Sequence, residues 1–176
     1  VRMGSRVEDL LLLARLDQSR QMDKAPVDLV PLIHEAVASA KAAGPDHPIT
    51  EDISSDELFI LGDKNRIYQV ITNLLANART HTPAGTEITV KAWSDDEGSY
   101  VSVIDTGPGL SDEDQKRVFE RFYRADTSRV RHSGEGTGLG LSIVDAVMRG
   151  HGGSVSVHSE LGKGSTFTLF FANGVN

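Results

Sequence analysis

A chain of 176 residues, 39% of them hydrophobic, has the means for one core plus an appendage. Its net charge of −7 gives no bulk attraction to nucleic acid, so an anionic ligand would need local backbone N–H groups, a few basic side chains or a metal. The absence of cysteine removes disulfides, thiolate zinc sites and cysteine nucleophiles, and the longest apolar run near the start, Leu10 to Ala14, is far short of the ~20 residues that cross a membrane.

Residues 6–17 set Val7, Leu10, Leu11, Leu13 and Ala14 at helical spacings, which predicts the end of an amphipathic helix. A polar linker, Gln18 to Ala25, follows. The chain divides into 1–22, helix tail and linker, and 23–176, the main domain; with Val1 at its head and no signal peptide, it reads as a piece of a longer protein. A short strand is expected over Ala25 to Leu29 and a helix over Leu32 to Ala43, stopped by Gly44 and Pro45. Ile49–Ile53 and Leu58–Leu61 read as a strand pair. Asp63 is a good N-cap for a long helix over Asn65 to Thr80, ended by Pro83 and Gly85. Strands Glu87–Trp93 and Tyr100–Asp105 follow, joined by the turn Asp95–Gly98. From Thr106 to Gly138 regular patterning fails except for a helical patch near Asp112 to Arg121, as expected of a lid or binding loop. A helix over Leu139 to Met148, capped by Gly150, precedes two last strands, Ser154–His158 and Ser165–Phe171. This order predicts an α/β two-layer sandwich, a mixed sheet packed on about three helices.

Four clusters carry candidate chemistry. Asn73 and Asn77 stand four residues apart on the long helix, so both amides share one face, a pattern that suits metal or phosphate ligation by neutral oxygens or, equally, two solvated amides. Asp105-Thr-Gly107-Pro-Gly109 ends an apolar strand; its carboxylate could accept from a ligand amine, and its glycines would permit close backbone approach, though an ordinary turn has the same composition. Gly134-Glu-Gly136-Thr-Gly138-Leu-Gly140 runs into a helix, a setting for anions, yet matches neither the dinucleotide fingerprint nor a P-loop. Gly162-Lys-Gly164-Ser-Thr166 begins the last strand and would also serve as a plain hairpin turn.

Together and in this order, the clusters resemble the N box, two glycine boxes and final glycine-threonine motif of the catalytic domains of two-component sensor histidine kinases. Phe119-Glu-Arg-Phe122-Tyr-Arg124 resembles the F box of that family, and the resemblance spans about Pro26 to Phe171. It implies a Bergerat-type ATP-binding fold, with ATP and Mg²⁺ held between the long helix and a lid over residues 107–138. It gives Asn73 the metal and, with Asn77 and Arg124, a catalytic role. It gives Asp105 the adenine amine, Gly107 and Gly109 the shape of that pocket, and Thr166 a place in its lining. Lid contacts fall to Gly136, Thr137, Gly138, Leu139 and Gly140. Where many members carry a phosphate-contacting lysine this chain has Thr80, so Arg79 or His81 is the expected substitute.

The resemblance further implies transfer of the ATP γ-phosphoryl group to a histidine on the protein's own dimerisation domain, relay to a response regulator, and a homodimeric parent, membrane-anchored with this part in the cytoplasm. None of the six histidines lies in the acceptor motif of the family; His34-Glu35 comes nearest but is followed by Ala36-Val37-Ala38. Residues 6–17 resemble the tail of the dimerisation domain's second helix, placing the acceptor upstream of Val1. ATP hydrolases of the same fold, such as DNA gyrase, use a glutamate as general base at the position of Asn73, where an amide cannot take the proton. An anti-sigma serine kinase or a nucleotide sensor without chemistry are the other readings.

Overall fold

The computed structural model describes residues 22–120, 123 and 140–173, so the expected helix over 6–17 lies outside it. The described chain begins with strand β1 (Ala25–Asp28), which leads directly into helix α1 (Leu29–Ala43). The helix starts three residues earlier than its periodicity suggests, because the Asp28 carboxylate caps it, accepting from Val30 N–H at 3.1 Å. Pro31 then falls in the first turn, where a missing N–H loses no helical bond.

Strands β2 (Ile49–Ile53) and β3 (Phe59–Gly62) do not pair with each other. β3 runs antiparallel to β1, and β2 joins the large sheet beside β4 (Ile88–Ser94), parallel to it. Asp28 explains the split: its Oδ1 also accepts from Leu58 N–H at 3.0 Å, while Leu29 N–H reaches Leu58 O at 2.8 Å. These bonds tie the start of β3 to the start of α1 and draw it away from β2.

Helix α2 (Lys64–Thr80) lies between α1 and α4 (Gly140–Gly150), its buried stripe being Ile67, Val70, Ile71, Leu74, Leu75 and Ala78. The three helices cover one face of a five-stranded mixed sheet of order β2-β4-β5-β7-β6, where β5 is Gly98–Asp105, β6 Ser154–Glu160 and β7 Gly164–Ala172. This is the expected two-layer α/β sandwich. Its core pairs Ile33, Ile71, Leu75 and Val147 with Val90, Val101, Val103, Phe167 and Leu169. Each such side chain contributes about 1.5–3 kcal/mol on burial. On the other face Trp93 stacks on Tyr100 at 5.1 Å, and Tyr100 lies 5.1 Å from Phe170. Gly98 is required at the β5–β7 pairing, because a Cβ there would overlap Phe171 O.

The N-terminus of α2 is held by a chain of bonds centred on Asp63. Its Oδ1 caps the helix, accepting from Asn65 and Arg66 N–H groups at 3.1 and 3.3 Å, and its Oδ2 accepts from Asp23 N–H at 3.1 Å. Asp63 N–H itself donates to His151 Nε2 at 2.9 Å, and His151 Nδ1–H donates to Val147 O at 2.8 Å. Nε2 can accept only if the ring is neutral with its proton on Nδ1. Burial accordingly holds the His151 pKa below its ordinary value, the Val147 carbonyl opposing; Lys24 and Arg66 lower it further and Asp63 raises it.

A depressed histidine pKa favours the neutral folded state, so the unfolded chain binds more protons as the pH falls. The contribution of His151 is complete above its unfolded pKa of about 6.5 and is lost progressively as the pH falls below it. The thermal midpoint should therefore drop between pH 7.5 and 5.5. His151→Gln should show a lower midpoint at pH 7.5 and a shallower dependence, both read by circular dichroism melts.

Candidate functional site

The inward row of β5 runs Val101, Val103, Asp105, and that of β7 runs Ser165, Phe167, Leu169, Phe171. Two apolar rows therefore end in a polar pair, Asp105 opposite Ser165. Asp105 is 8% exposed, and its Oδ1 accepts from Gly107 N–H at 2.9 Å. Burial pushes the Asp105 pKa up, while the Gly107 and Ser165 backbone N–H groups pull it down. A carboxylate offers about four acceptor positions. Gly107 and Ser165 take part of that capacity, and a ligand amine could take another position.

The backbone around Asp105 is shaped by close approach. A Cβ on Gly107 would overlap the Thr82 methyl and come within 3.1 Å of Asp105 Oδ1. Gly109, at φ 78°, lies against the Glu160 carbonyl, and Gly164, at φ 122°, against the Asp105 carbonyl. These glycines keep the carboxylate reachable and let the loop and the β6–β7 hairpin close on each other.

The C-terminus of α2 comes to the same place. Its cap, His81, donates its backbone N–H to Asn77 O, and Thr82 Oγ1 donates to Ala78 O at 2.7 Å. Buried His47 donates from Nε2 to Thr82 O at 3.2 Å and Thr82 Oγ1 at 2.9 Å, fixing the methyl that touches Gly107. Asn73 and Asn77 are half-buried on this helix, one turn apart. Arg79 goes elsewhere. It lies ~200° around the helix from Asn77, and a Cβ on Gly44, at the end of α1, would meet its Cδ at 2.7 Å and Nη1 at 2.8 Å. Its Nε is buried without a hydrogen-bond partner among the described residues. Arg79 thus lies in the α1–α2 seam, while His81 stands at the end of the asparagine face.

Thr166 has a different place. Strand alternation pairs it with Ile104 and His158, on the face opposite Asp105. Ser165 is the β7 residue beside the carboxylate. The parity of Phe167, Leu169 and Phe171 was the signal that could have found it. Thr82 and His47 were missed as well, because no local pattern announces a contact 35 residues apart.

Gly140 is the first residue of α4, and among the described residues a Cβ there would meet nothing within 4 Å. Arg124, Gly136, Thr137, Gly138 and Leu139 lie outside the described residues. The chain is anchored just before them by helix α3 (Asp112–Arg117) and by Phe119, whose ring meets Phe167 edge-on at 6.1 Å. Tyr123 O–H donates to Asp114, which pushes the tyrosine pKa up to about 12, and the Arg117 guanidinium covers its ring at 4.6 Å. Among the described residues no group of three or more His, Cys, Asp or Glu could hold a metal.

A raised carboxyl pKa means the folded state binds the proton more tightly. The ionised form of Asp105 therefore opposes folding once the pH exceeds its unfolded value of about 3.9. Asp105→Asn, which keeps an acceptor for Gly107 N–H and removes the charge, should leave the thermal midpoint at pH 7.5 equal to or above that of the unchanged protein. A clear drop would show that the charge stabilises the fold.

The sequence profile of the histidine kinase-, DNA gyrase B- and HSP90-like ATPases matches residues 62–174. The probable sensor histidine kinase TcrY of Mycobacterium tuberculosis (strain ATCC 25618 / H37Rv) is 49% identical over 156 residues, covering 89% of this chain and 33% of TcrY. Sensor histidine kinase RppB of Synechocystis sp. (strain ATCC 27184 / PCC 6803 / Kazusa) is 39% identical over 173 residues, covering 96% and 37%. The chain thus spans about a third of the length of these relatives. Among solved structures, full-length ShkA in complex with AMPPNP superposes with a TM-score of 0.81 at 31% identity, covering 99% of this chain and 37% of that one. The mycobacterial sensor histidine kinase MprB gives 0.75 at 26% identity, covering 84% and 97%. With this profile match over most of the chain, on a fold and a glycine-lined carboxylate that agree with it, the chain belongs to the histidine kinase-, DNA gyrase B- and HSP90-like ATPase family.

Proposed function

We propose that the chain is the ATP- and Mg²⁺-binding catalytic domain of a sensor histidine kinase. It would transfer the γ-phosphoryl group of ATP to a histidine on an upstream helical domain of the same protein, for relay to a response regulator. The observation that carries the nucleotide part is the buried Asp105 carboxylate, walled by Gly107 and Ser165. An adenine amine suits that acceptor. The same geometry supports Asn73 and Asn77 as the residues that would hold Mg²⁺ and phosphate oxygens, since they face one way from the helix that ends beside this loop. When bound, Mg²⁺ would neutralise phosphate charge.

The preference for transfer over hydrolysis rests on Asn73. An amide cannot accept the proton of an attacking water, whereas a histidine imidazole brings its own nucleophilic lone pair. In the transfer an N–P bond forms as the bond from the γ-phosphorus to the bridging oxygen breaks, and ADP leaves. Arg124, in the F-box-like run, is our candidate for charge at that phosphorus. Residues 1–22 we assign to the end of the dimerisation domain and its linker, and 23–176 to the catalytic domain. The curated relatives are about three times this chain's length, which accommodates an acceptor domain and a membrane anchor in the parent. Among the described residues no helix is long and apolar enough to cross a membrane. A homodimeric parent follows from the dimerisation assignment.

Titration calorimetry should show ATP binding that strengthens with Mg²⁺. Asp105→Ala should weaken ATP and ADP by the same factor, roughly ten- to a hundred-fold for a hydrogen bond to a charged group. A loss confined to ATP would place Asp105 at the phosphate end and end the adenine assignment.

Incubated alone with labelled ATP, residues 1–176 should neither label themselves nor release phosphate at an appreciable rate. General-base help is worth about 10²–10⁴-fold, and no group supplies it at Asn73. Adding a dimerisation domain with its histidine should restore slow transfer, since the tether that raises effective concentration is missing. Strong labelling of this chain by itself would mean that one of its six histidines is the acceptor.

A further inference from the structure

Ser159 stands next to the last residue of edge strand β6, outside every motif that suggested nucleotide binding. Its hydroxyl is the meeting point of three segments. Oγ accepts from Leu110 N–H at 2.7 Å, donates to Gly164 O at 2.8 Å, and lies 2.9 Å from Ser165 Oγ. A serine has one hydroxyl proton, and the Gly164 carbonyl can only accept. The proton of Ser159 therefore goes to Gly164, and Ser165 must donate to Ser159. The result is a saturated hub between the loop that follows Asp105 and the strand that faces it.

Two further contacts make the hub a brace. The Gln115 amide grips the backbone of Ser159 on both sides, its Oε1 accepting Ser159 N–H at 3.0 Å and its Nε2 donating to Ser159 O at 3.0 Å and Leu110 O at 3.2 Å. Gly162 N–H donates to Pro108 O at 2.8 Å. The loop Gly107–Leu110 is therefore fastened to the β6–β7 hairpin. Gly107 and Ser165 are the two sides of Asp105, and Ser159 is bonded directly to one and through Leu110 to the loop that holds the other.

We propose that Ser159, supported by Gln115, is a positioning residue for the nucleotide base: it sets the width of the Asp105 pocket by fixing the Gly107–Leu110 loop against Ser165. This inference rests on the reading of Asp105 as the base contact. Ser159 itself touches no ligand in this scheme; it acts through the loop and through the Ser165 hydroxyl. Its side chain is half-buried and supports none of the apolar core, so a purely structural role would show as lost stability without a change of affinity.

The test compares Ser159→Ala, Ser159→Thr and Val157→Ala in residues 1–176. Val157 is on the same strand, two residues away, and its apolar side chain packs against the core and cannot hydrogen-bond. The first readout, taken without nucleotide, is amide exchange at Leu110 by NMR. The second is the affinity for ATP and for ADP. Ser159→Ala should speed Leu110 exchange at least tenfold and weaken both nucleotides alike, roughly three- to tenfold, the scale of a lost neutral hydrogen bond. Ser159→Thr, which keeps the hydroxyl, should restore both readouts. Val157→Ala should lower the thermal midpoint and move neither. Unchanged Leu110 exchange in Ser159→Ala overturns the brace. Faster exchange with unchanged affinity, or an equal loss of affinity in Val157→Ala, overturns the positioning role. Failure of the unchanged protein to bind either nucleotide, or undiminished binding by Asp105→Ala, overturns the base reading and the positioning role with it, while the exchange result still measures the brace by itself.

Discussion

A carboxylate is kept nearly out of water at the point where two apolar strand rows end, and much of the described structure accommodates it. Asp105 lies opposite Ser165 at the edge of the core formed by Val101, Val103, Phe167 and Leu169. Burying an ionised group costs several kcal/mol unless it is hydrogen-bonded. Backbone N–H groups supply part of that compensation here, and they reach the carboxylate only because Gly107, Gly109 and Gly164 let chain segments come closer than any side chain would allow.

The same constraint accounts for the treatment of α2. Its first turn is locked by the Asp63 bonds to Asp23, Asn65, Arg66 and His151. Its last turn is locked by Thr82 and His47. A helix pinned at both ends cannot slide along the sheet, so Asn73 and Asn77 keep a set position relative to Asp105. Arg79 contributes to the same end differently, filling the seam against α1 instead of facing the site.

The helices and strands of the main domain were legible from periodicity and caps, because their apolar faces pack against a single opposing layer. Asp63 as an N-cap and Asp95–Gly98 as a turn were readable for the same local reason: each side chain bonds backbone only two or three residues away. The pairing of β2 and β3 was not readable, since the bonds that separate them run from Asp28 to Leu58. Asn73, Asn77, Asp105 and the glycines stood out as candidates through residue type and spacing. Ser165, which the sheet register sets opposite Asp105, was not singled out where its neighbour Thr166 was. Gln115 and Ser159 were invisible, because their importance lies in contacts 44 residues apart.

The β5–β7 pairing joins residues 98–105 to 164–172, so the chain leaves the sheet and returns to it between two fixed posts. One post is α3, with Phe119 set on Phe167; the other is α4, packed along α2. Both posts are made within the described residues, by Phe119 on Phe167 and by α4 along α2, so the sheet and its buried carboxylate have their own anchors on either side of the intervening segment.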